Sequence, residues 1–276
     1  RFGEIILLTY SPAFLAFKNN YTRVIMNNIK VGIVGCGFIG GALRKWLGEH
    51  NKDVEVFVSD PPKGMNDSLD GVDVVFVSIH IPTEADGSQN LSLLKDIIRR
   101  LPDKPIFIRT TILPGTSEML SKECGKSVYF MPEFLTERTA YEDFSRQPMV
   151  FTAVPELLAK IFVGKKYIVM SSKEAEITKY AHNVFGALKV SYFNGIYDIC
   201  TKLGLSYENV QKGVLLSGYI NEPHTQVPGP DGKFGYGGKC FPKDVNAFTE
   251  MFADYPIHEI LKSLKPLNIL FRGEDK

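Results

Sequence analysis

Short β-branched runs and longer amphipathic stretches alternate along the chain after residue 28. The apolar runs have the length and composition of strands, and they predict strands at residues 29–34, 54–60, 72–79, 105–111 and 128–130. Helical patterns lie between them from Ala42 to Gly48 and near Leu91 to Leu101. Because strands that alternate with helices are typical of a Rossmann-type, doubly wound parallel sheet, we predict an α/β fold. Ligands of such sheets bind beyond the carboxyl ends of the strands.

The pattern becomes helical from about residue 172. No proline occurs from Lys173 to Leu203, and the apolar residues of this stretch recur with a helical period at Ile177, Tyr180, Ala181, Val184 and Leu188. This pattern predicts one long buried helix, and a second helical pattern runs from Tyr207 to Leu216. We therefore predict an NAD-binding Rossmann domain over residues 26–170 and an all-helical central and dimerisation domain over residues 171–276.

Residues 1–25 do not share the pattern of the rest of the chain. Their apolar run Ile5–Leu8 lies next to Glu4 and is followed by Pro12, so the segment has neither the length of a membrane span nor the layout of a signal peptide. Met26 has the position of a natural start. We expect residues 1–25 to be a non-native or disordered extension without a function of its own.

Composition and charge narrow the class of protein. A chain of 276 residues with 44% hydrophobic residues, 23% charged residues and a net charge of +1 is expected to be a soluble globular protein of about two domains. Since no cluster of lysines and arginines is visible, neither a nucleic acid nor a membrane is an expected partner. The cysteines are far apart, which indicates neither a metal site nor a disulfide framework and favours a reducing, cytoplasmic location. They are Cys36, Cys124, Cys200 and Cys240.

A G-x-G-x-x-G turn formed by Gly35, Gly37 and Gly40 follows the first predicted strand and opens a helix. Such a turn lets the backbone approach a pyrophosphate, while the helix N-terminus supplies N–H donors. Asp60 lies twenty residues beyond Gly40, at the end of the second strand, where a carboxylate accepts hydrogen bonds from a ribose and repels a 2′-phosphate. NAD is therefore favoured over NADP. Lys63 lies nearby and weakens the preference for NAD, unless the Lys63 side chain is a solvated loop charge.

The segment from Gly235 to Asp244 places Cys240 between a glycine-rich loop and a Pro-Lys-Asp turn. The glycines allow close approach of the backbone to a ligand, and Pro242 suits the first turn of a helix. Lys243 and Asp244 bring opposite charges near the sulfur, and a cation there favours the thiolate. This arrangement is typical of a nucleophile, although a lone cysteine is also commonly a small buried hydrophobic residue.

Other polar residues are also candidates for contacts with a ligand, and each has an ordinary structural explanation as well. Three segments come directly after predicted strands and are either ligand contacts or ordinary turns with surface charges: Pro82–Thr83, Thr110–Thr111 with Pro114–Gly115, and Met131–Glu137. Lys179 and Asn183 are four residues apart on the long helix and share one face. An ammonium and an amide placed in this way can stabilise an oxyanion, whereas the alternative is a solvent-facing polar stripe.

The chain resembles the UDP-glucose/GDP-mannose dehydrogenase family over roughly residues 29–255. The resemblance lies in the order of the motifs: the glycine turn with Asp60, Pro82-Thr83, Arg109-Thr110-Thr111 with Pro114-Gly115, Pro132-Glu133-Phe134-Leu135-x-Glu137, Lys179-x-x-x-Asn183 and Phe234-Gly235-Tyr236-Gly237-Gly238-x-Cys240-x-Pro242-Lys243-Asp244. It implies NAD-dependent four-electron oxidation of the primary alcohol of a nucleotide sugar, similar to UDP-glucose, to a uronic acid. It also implies a homodimer formed through the long helix.

The resemblance also implies roles for individual residues. Cys240 matches the nucleophile that forms a thiohemiacetal and then a thioester, and Asp244 matches the carboxylate that handles protons through a water molecule. Lys179 and Asn183 match the oxyanion stabilisers. The residues implied to order the hydrolytic water and its base are Thr111, Glu133 and Glu137. The implied cofactor contacts are Gly35, Gly37, Phe38, Ile39, Gly40, Asp60, Pro82, Thr83 and Thr111. The implied substrate contacts are Phe234, Gly235, Tyr236, Gly237, Gly238, Lys179, Asn183 and Glu133.

Departures from the family leave two alternatives open. Family members usually continue into a further domain that completes the nucleotide-sugar pocket, whereas this chain ends 36 residues after Cys240 and is expected to be a short form. The segment 226–233 also lengthens the loop before the cysteine relative to many members. One alternative is a two-electron dehydrogenase of the hydroxyacid or 6-phosphogluconate type, in which Cys240 is dispensable. The other is a truncated, non-catalytic subunit that binds NAD.

Overall fold

A computed structural model describes residues 28–84 and 86–273, so the expectation for residues 1–25 lies outside the described residues. Its main feature is a six-stranded sheet with the order β3-β2-β1-β4-β5-β6. The strands are β1 (Ile29–Val34), β2 (Val54–Asp60), β3 (Met65–Asn66), β4 (Val74–Val77), β5 (Ile106–Ile108) and β6 (Val128–Phe130). All neighbouring strands are parallel except β3, which pairs antiparallel with β2. This order confirms the predicted doubly wound fold.

Five helices and a second, two-stranded sheet complete this part of the chain. The helices are α1 (Phe38–His50), α2 (Ser92–Arg100), α3 (Thr116–Cys124), α4 (Ala140–Arg146) and α5 (Pro155–Ile161). Strands β7 (Met149–Phe151) and β8 (Tyr167–Val169) pair in parallel beside the main sheet. The sequence analysis predicted α1 and α2 but missed β3, α3, α4, α5, β7 and β8. Strands of two or three residues and helices of two turns contain too few periods to be recognised from hydrophobic spacing.

The main sheet is buried on both faces. Along β4, Val74 and Phe76 contact the hydrophobic cluster that includes Trp46 of α1, whereas Val75 and Val77 contact the opposite cluster, to which α2 and α3 contribute. All four β4 side chains are fully buried. This double burial explains why the strands appear as continuous apolar runs in the sequence.

A helical region begins with α6 (Ser172–Lys202), a helix of 31 residues that confirms the predicted long helix. Ser171 and Glu174 form a capping box at its start. It is followed by α7 (Tyr207–Leu215), α8 (Phe241–Met251) and α9 (His258–Arg272). Within residues 28–84 and 86–273, no helix combines the length and apolar character needed to cross a bilayer.

Only one side of α6 packs against the other helices. Tyr180 and Val184 belong to a hydrophobic cluster that includes residues of α8 and α9. The prediction that Ile177 and Ala181 share this buried face is wrong, since Ile177 is 41% exposed and Ala181 is also exposed. Because a helix turns 100° per residue, Ile177 and Ala181 both lie to one side of Tyr180, outside the narrow face of α6 that contacts α8 and α9.

Glu176 joins α6 to the main sheet. Its carboxylate is fully buried and accepts hydrogen bonds from Gly115 N at 2.5 Å, from Ser117 N at 2.9 Å and from Ser117 Oγ at 2.6 Å. These donors lie at the N-terminus of α3, where a negative charge is also favoured by the helix dipole. The contact fixes the long helix relative to the loop after β5.

Replacing Glu176 with glutamine is expected to lower the free energy of unfolding by about 1–3 kcal/mol, because either orientation of the amide places its NH₂ group against a buried N–H donor. Urea unfolding at pH 7 measures the effect. The matched control is Glu174→Gln, the same substitution at the exposed capping box, where glutamine is an accepted partner. Equal unfolding midpoints for the two variants would contradict the role of Glu176.

Candidate active site

The glycine turn lies at the carboxyl end of β1, where β1 and β4 are neighbours. Gly35 has a φ of +81°, and a Cβ atom there would lie 2.7 Å from Ser78 O. A Cβ atom on Gly40 would lie 2.0 Å from Gly35 O, which explains why the third position must be glycine. At Gly37, no atom of the described residues other than its chain neighbours lies within 4 Å of such a Cβ. The turn is thus tight against the sheet and open in front of α1, as binding of a pyrophosphate requires.

Asp60 and Lys63 contact the same turn. Asp60 Oδ2 accepts a hydrogen bond from Cys36 N at 2.8 Å, which leaves the other carboxylate oxygen for a ribose hydroxyl. Lys63 Nζ donates to Cys36 O at 2.6 Å and lies 3.8 Å from Asp60 Oδ2. Lys63 is an exposed loop charge, as the sequence analysis allowed, with half of its side chain exposed, and its ammonium also binds the turn.

Two buried hydroxyl groups lie in the segment that follows β4. Ser78 Oγ and Thr83 Oγ1 are buried without a hydrogen-bond partner in the described structure. Pro82 precedes Thr83, and Phe38 and Ile39 lie in the first turn of α1. Since buried hydroxyls are normally paired, these two fit a groove that receives a polar ligand.

Cys240 lies at the N-cap position of α8, and Pro242 occupies the first turn as predicted. Burial raises the pKa of the Cys240 thiol; the charge of Lys179 acts in the opposite direction and that of Asp244 raises the pKa further. The nearby cations Lys179 and Lys243 lower the thiol pKa, as the sequence analysis expected of a cation there, but burial outweighs them and the net shift is upward. Lys243 forms an ion pair with the Asp244 carboxylate, so its charge is largely compensated.

Lys179 is buried, with 3% of its side chain exposed, and its partner is Glu133. Lys179 Nζ donates to Glu133 O at 2.5 Å and to Glu133 Oε1 at 2.9 Å, and Glu133 Oε2 accepts from Leu135 N at 2.7 Å. The solvent-facing alternative for Lys179 is wrong. An ammonium has three donors, so one remains for an oxygen of a ligand.

Asn183 and Asp244 join α6 to α8. Asn183 Nδ2 donates to Asp244 Oδ2 at 2.6 Å, and only 1% of Asp244 is exposed. The solvent-facing alternative is wrong for Asn183 as well, since it is 4% exposed. Two buried acid–base pairs, Glu133 with Lys179 and Lys243 with Asp244, thus act electrostatically on Cys240.

The remaining predicted residues lie at the border of this arrangement. Thr111 is buried, and its carbonyl oxygen accepts a hydrogen bond from Gln89 Nε2 at 3.1 Å. Glu137 lies in an exposed 3₁₀ turn and pairs with Lys239 at 3.0 Å. Lys239 directly precedes Cys240, so this ion pair joins the Glu133–Glu137 segment to the cysteine loop.

Arg109 is a charged residue to which the sequence analysis assigned no role. It is 1% exposed, and its Nε and Nη1 atoms have no hydrogen-bond partner in the described structure. Burial lowers the pKa of Arg109 to about 10, while the charge of Glu133 opposes the shift. Both side chains line a cavity of about 20 Å³. The available signal was a cation at the end of an otherwise apolar strand, which is rare unless the charge has a partner.

Residues 173–268 match the central domain of the UDP-glucose/GDP-mannose dehydrogenase family. The UDP-glucose 6-dehydrogenase of Rickettsia felis is 30% identical over 220 residues, which are 72% of this chain and 48% of the relative. UDP-glucose 6-dehydrogenase YwqF of Bacillus subtilis is 30% identical over 217 residues, 71% of this chain and 48% of the relative. The chain spans about half the length of the curated relatives it matches.

Solved structures with the same fold include dehydrogenases of two kinds. The UDP-glucose dehydrogenase of Pyrobaculum islandicum has a TM-score of 0.74 at 24% identity, covering 91% of this chain and 70% of that one. The 3-hydroxyisobutyrate dehydrogenase of Mycobacterium tuberculosis has a TM-score of 0.62 at 16% identity, covering 90% of this chain and 96% of that one.

The fold and the open glycine turn define a Rossmann-type dinucleotide-binding protein, and together with the family match they imply a nicotinamide cofactor. The match over residues 173–268 and the relatives at 30% identity identify the family within this class of protein. The chain belongs to the UDP-glucose/GDP-mannose dehydrogenase family.

Proposed function

We propose that the chain carries the NAD-binding and catalytic parts of a dehydrogenase that oxidises the primary alcohol of a nucleotide sugar, similar to UDP-glucose, to a carboxylate. The observation that carries the proposal is the position of Cys240 at the start of α8, with the buried cation Lys179 and the buried carboxylate Asp244 acting on its thiol. Such a nucleophile suits four-electron oxidation, because its covalent adduct with the aldehyde holds the C–H bond in place for a second hydride transfer.

The groove at the glycine turn would hold NAD. Gly37 leaves room for the pyrophosphate, the free oxygen of Asp60 would accept a ribose hydroxyl, and the hydroxyls of Ser78 and Thr83 would gain the partner that they lack. Bound NAD supplies the acceptor for each of the two hydrides. The protein's own contribution is to orient the sugar alcohol and to stabilise charge on its oxygen.

Lys179 and Asn183 would stabilise the oxygen as the alcohol becomes an aldehyde. Two donors of the Lys179 ammonium are used by Glu133, and one N–H of Asn183 is used by Asp244, so each side chain retains a donor. Asp244 would take up the hydroxyl proton through a water molecule. Donors held in place before the reaction stabilise developing negative charge without reorganisation.

Cys240 would then add to the aldehyde carbon and form a thiohemiacetal. Transfer of a second hydride to NAD, with loss of the thiohemiacetal hydroxyl proton to solvent, would give a thioester. Attack by water would then break the C–S bond, release the carboxylic acid and return a proton to the sulfur. Thr111, Glu133 and Glu137 would order that water. Burial raises the pKa of the thiol, so Cys240 would give up its proton as the C–S bond forms: Asp244 would return the alcohol proton to the aldehyde oxygen and take up the thiol proton. A free thiol persists in reducing conditions, so we infer a cytoplasmic location.

A quantitative NADH assay with purified protein and a panel of nucleotide sugars tests the proposal. The expected result is two NADH formed per nucleotide sugar consumed, together with one carboxylate product. Formation of one NADH per substrate would contradict the covalent route. Free sugars serve as the control, since they lack the nucleotide.

The second candidate is a two-electron dehydrogenase of a small hydroxy acid. It is favoured by the similarity to the 3-hydroxyisobutyrate dehydrogenase of Mycobacterium tuberculosis, of which this chain covers 96%. In that case Lys179 and Asn183 keep their role and Cys240 is dispensable. Turnover of a 3-hydroxy acid with one NADH, unchanged in a Cys240→Ala variant, would establish this alternative.

Asp60 is expected to set the choice of cofactor. Asp60→Ala should weaken NAD binding about tenfold and reduce the discrimination against NADP, because the carboxylate that accepts from a ribose hydroxyl and repels a 2′-phosphate is removed. Titration of both cofactors by fluorescence measures the effect. Asp67→Ala is a control away from the glycine turn, since Asp67 Oδ2 accepts from Val58 N. Equal affinity of the unmodified protein for NAD and NADP would contradict the assignment.

We further propose that α6 mediates a homodimer. Phe185, Tyr192 and Ile199 occur at intervals of seven residues on this helix and are 63%, 62% and 50% exposed. Such a spacing forms an apolar stripe suited to a second copy of the helix. Light scattering at micromolar concentration is expected to give a dimer, and Tyr192→Glu is expected to give a monomer. A monomer for the unmodified chain would contradict this proposal.

A further inference from the structure

The inner side of the glycine-rich loop is attached to α9 and α6 through backbone hydrogen bonds. Asn268 Oδ1 accepts from Tyr236 N at 2.7 Å, and Asn268 Nδ2 donates to Tyr236 O at 3.0 Å. Asn194 Oδ1 accepts from Gly235 N at 2.9 Å. Both asparagines are buried. Two side chains from different helices therefore fix two consecutive backbone units of the loop.

Arg272 attaches the preceding part of the same loop. Its Nη1 donates to Phe234 O at 3.2 Å, and its Nη2 forms an ion pair with Asp231 Oδ2 at 2.6 Å. Only 10% of the Arg272 side chain is exposed. Since Asn268 and Arg272 are four residues apart, both extend from the same face of α9.

These contacts change the interpretation of two glycines. A Cβ atom on Gly235 would lie 2.4 Å from Asn268 Oδ1, and one on Gly237 would lie 2.2 Å from Arg272 Nη2. The sequence analysis attributed these glycines to the approach of a ligand, whereas the structure places α9 side chains there. Gly238 differs in its surroundings, because apart from its chain neighbours no atom in the described part of the chain lies within 4 Å of its Cβ position. A positive φ favours glycine at Gly238, where it is +76°, and also at Gly235, where it is +66°.

We propose that Asn268 and Arg272 are positioning residues, which hold residues 234–237 in the conformation that presents the loop to the sugar nucleotide and sets the burial of Cys240. Three observations support this: both partners act on backbone atoms, both are largely buried, and the loop ends within five residues of Cys240. The inference rests on the proposed function for the identity of the substrate. Its effect on the loop is independent of turnover.

Asn268→Leu tests the first anchor, because it preserves volume but removes both hydrogen bonds to Tyr236. We expect the backbone amide hydrogen of Tyr236 to exchange with solvent at least about tenfold faster than in the unmodified protein. The reason is that the loop can open without first breaking its hydrogen bonds to Asn268. Leu270→Ala, at an 80% exposed position of the same helix, is the matched control and should leave exchange unchanged. Exchange of Tyr236 within twofold of the unmodified protein would overturn the proposal.

Asn268→Asp provides a second variant with a smaller change. It retains an acceptor for Tyr236 N but replaces the donor to Tyr236 O with a negative oxygen. The expected exchange rate lies between those of the unmodified protein and Asn268→Leu. An exchange rate equal to that of the unmodified protein would show that the donor is dispensable and would overturn the two-bond attachment.

The reason for Gly237 is tested by a double-mutant cycle. Gly237→Ala should displace the Arg272 guanidinium and lower the urea midpoint, whereas in an Arg272→Ala background the same substitution should have little further effect. If a ligand instead requires this glycine, Gly237→Ala will leave the midpoint unchanged and weaken substrate binding equally in both backgrounds. That second outcome would overturn the proposed reason for Gly237.

Two chemical readouts connect the loop to the site. In Asn268→Leu, the pH midpoint for alkylation of Cys240 by iodoacetamide should fall, because a less ordered loop exposes the thiol. The KM for the nucleotide sugar should rise at least about tenfold while the Kd of NAD stays constant. If the alkylation midpoint and hydrogen exchange shift while no nucleotide sugar is oxidised, the positioning role stands and the proposed function fails. If neither the alkylation midpoint nor hydrogen exchange shifts, the positioning role is wrong.

Discussion

Cys240→Ser is expected to stop formation of the carboxylic acid while leaving NAD binding unchanged. A serine hydroxyl is a much poorer nucleophile in the same position, so the rate of the full reaction should fall on the order of a thousandfold or more. The glycine turn that would bind NAD lies on a different element, after β1, and should be unaffected. Rapid mixing of enzyme, NAD and nucleotide sugar, with subsequent mass spectrometry of the protein, measures both NADH formation and any covalent adduct.

The control for this substitution is Cys124→Ser at the end of α3, which makes the same chemical change at another partly buried cysteine. It should form two NADH per nucleotide sugar at the rate of the unmodified protein. If Cys240→Ser also forms two NADH per substrate at that rate, the thioester mechanism is wrong. A covalent adduct in the unmodified protein that is absent in Cys240→Ser would locate the intermediate on the sulfur.

Lys179→Met is expected to slow both hydride transfers about a hundredfold to a thousandfold, because each one develops negative charge on the substrate oxygen and the ammonium is a preorganised donor. The same substitution should raise the pKa of the Cys240 thiol further, since the charge of Lys179 is the leading influence that lowers it. Alkylation of Cys240 by iodoacetamide should therefore begin at higher pH than in the unmodified protein. Transient kinetics of NADH formation measure the two hydride steps separately.

Stability has to be separated from catalysis in this variant. Removal of Lys179 takes away the ion-pair partner of the buried Glu133 carboxylate, which is expected to lower the free energy of unfolding by about 3–5 kcal/mol. The double variant Lys179→Met with Glu133→Gln removes that charge and should recover much of the stability. Recovery of activity together with stability would contradict the role of Lys179 as an oxyanion stabiliser.

The fold was largely predictable because its signals are local. The apolar runs that form β1, β2 and β4 are bounded by turn residues, and their alternation with helices predicted the parallel doubly wound sheet that the structure has. The absence of proline from Lys173 to Leu203 was enough to predict α6, which spans Ser172–Lys202. The domain boundaries and the roles assigned to the site residues remain predictions.

The electrostatic state of the site was less predictable. Lys243 is adjacent to Asp244 in sequence and suggested a cation near the sulfur, but the two charges pair with each other. Burial of Cys240 depends on helices that pack from elsewhere in the chain, and it raises the thiol pKa. A spacing pattern contains no information about desolvation, so the direction of the shift could not be derived from the motif.

The sequence by itself determined the longer strands and helices, the glycine turn with Asp60, and the set of polar residues that resembles one dehydrogenase family. These features depend on neighbouring residues or on fixed spacing, which a linear chain displays directly. Only the tertiary structure decided which residues are partners: Lys179 with Glu133 across 46 positions, and Tyr236 with Asn268 across 32. Such pairs form because distant elements pack together and exclude water, so each buried polar group must find its partner in space.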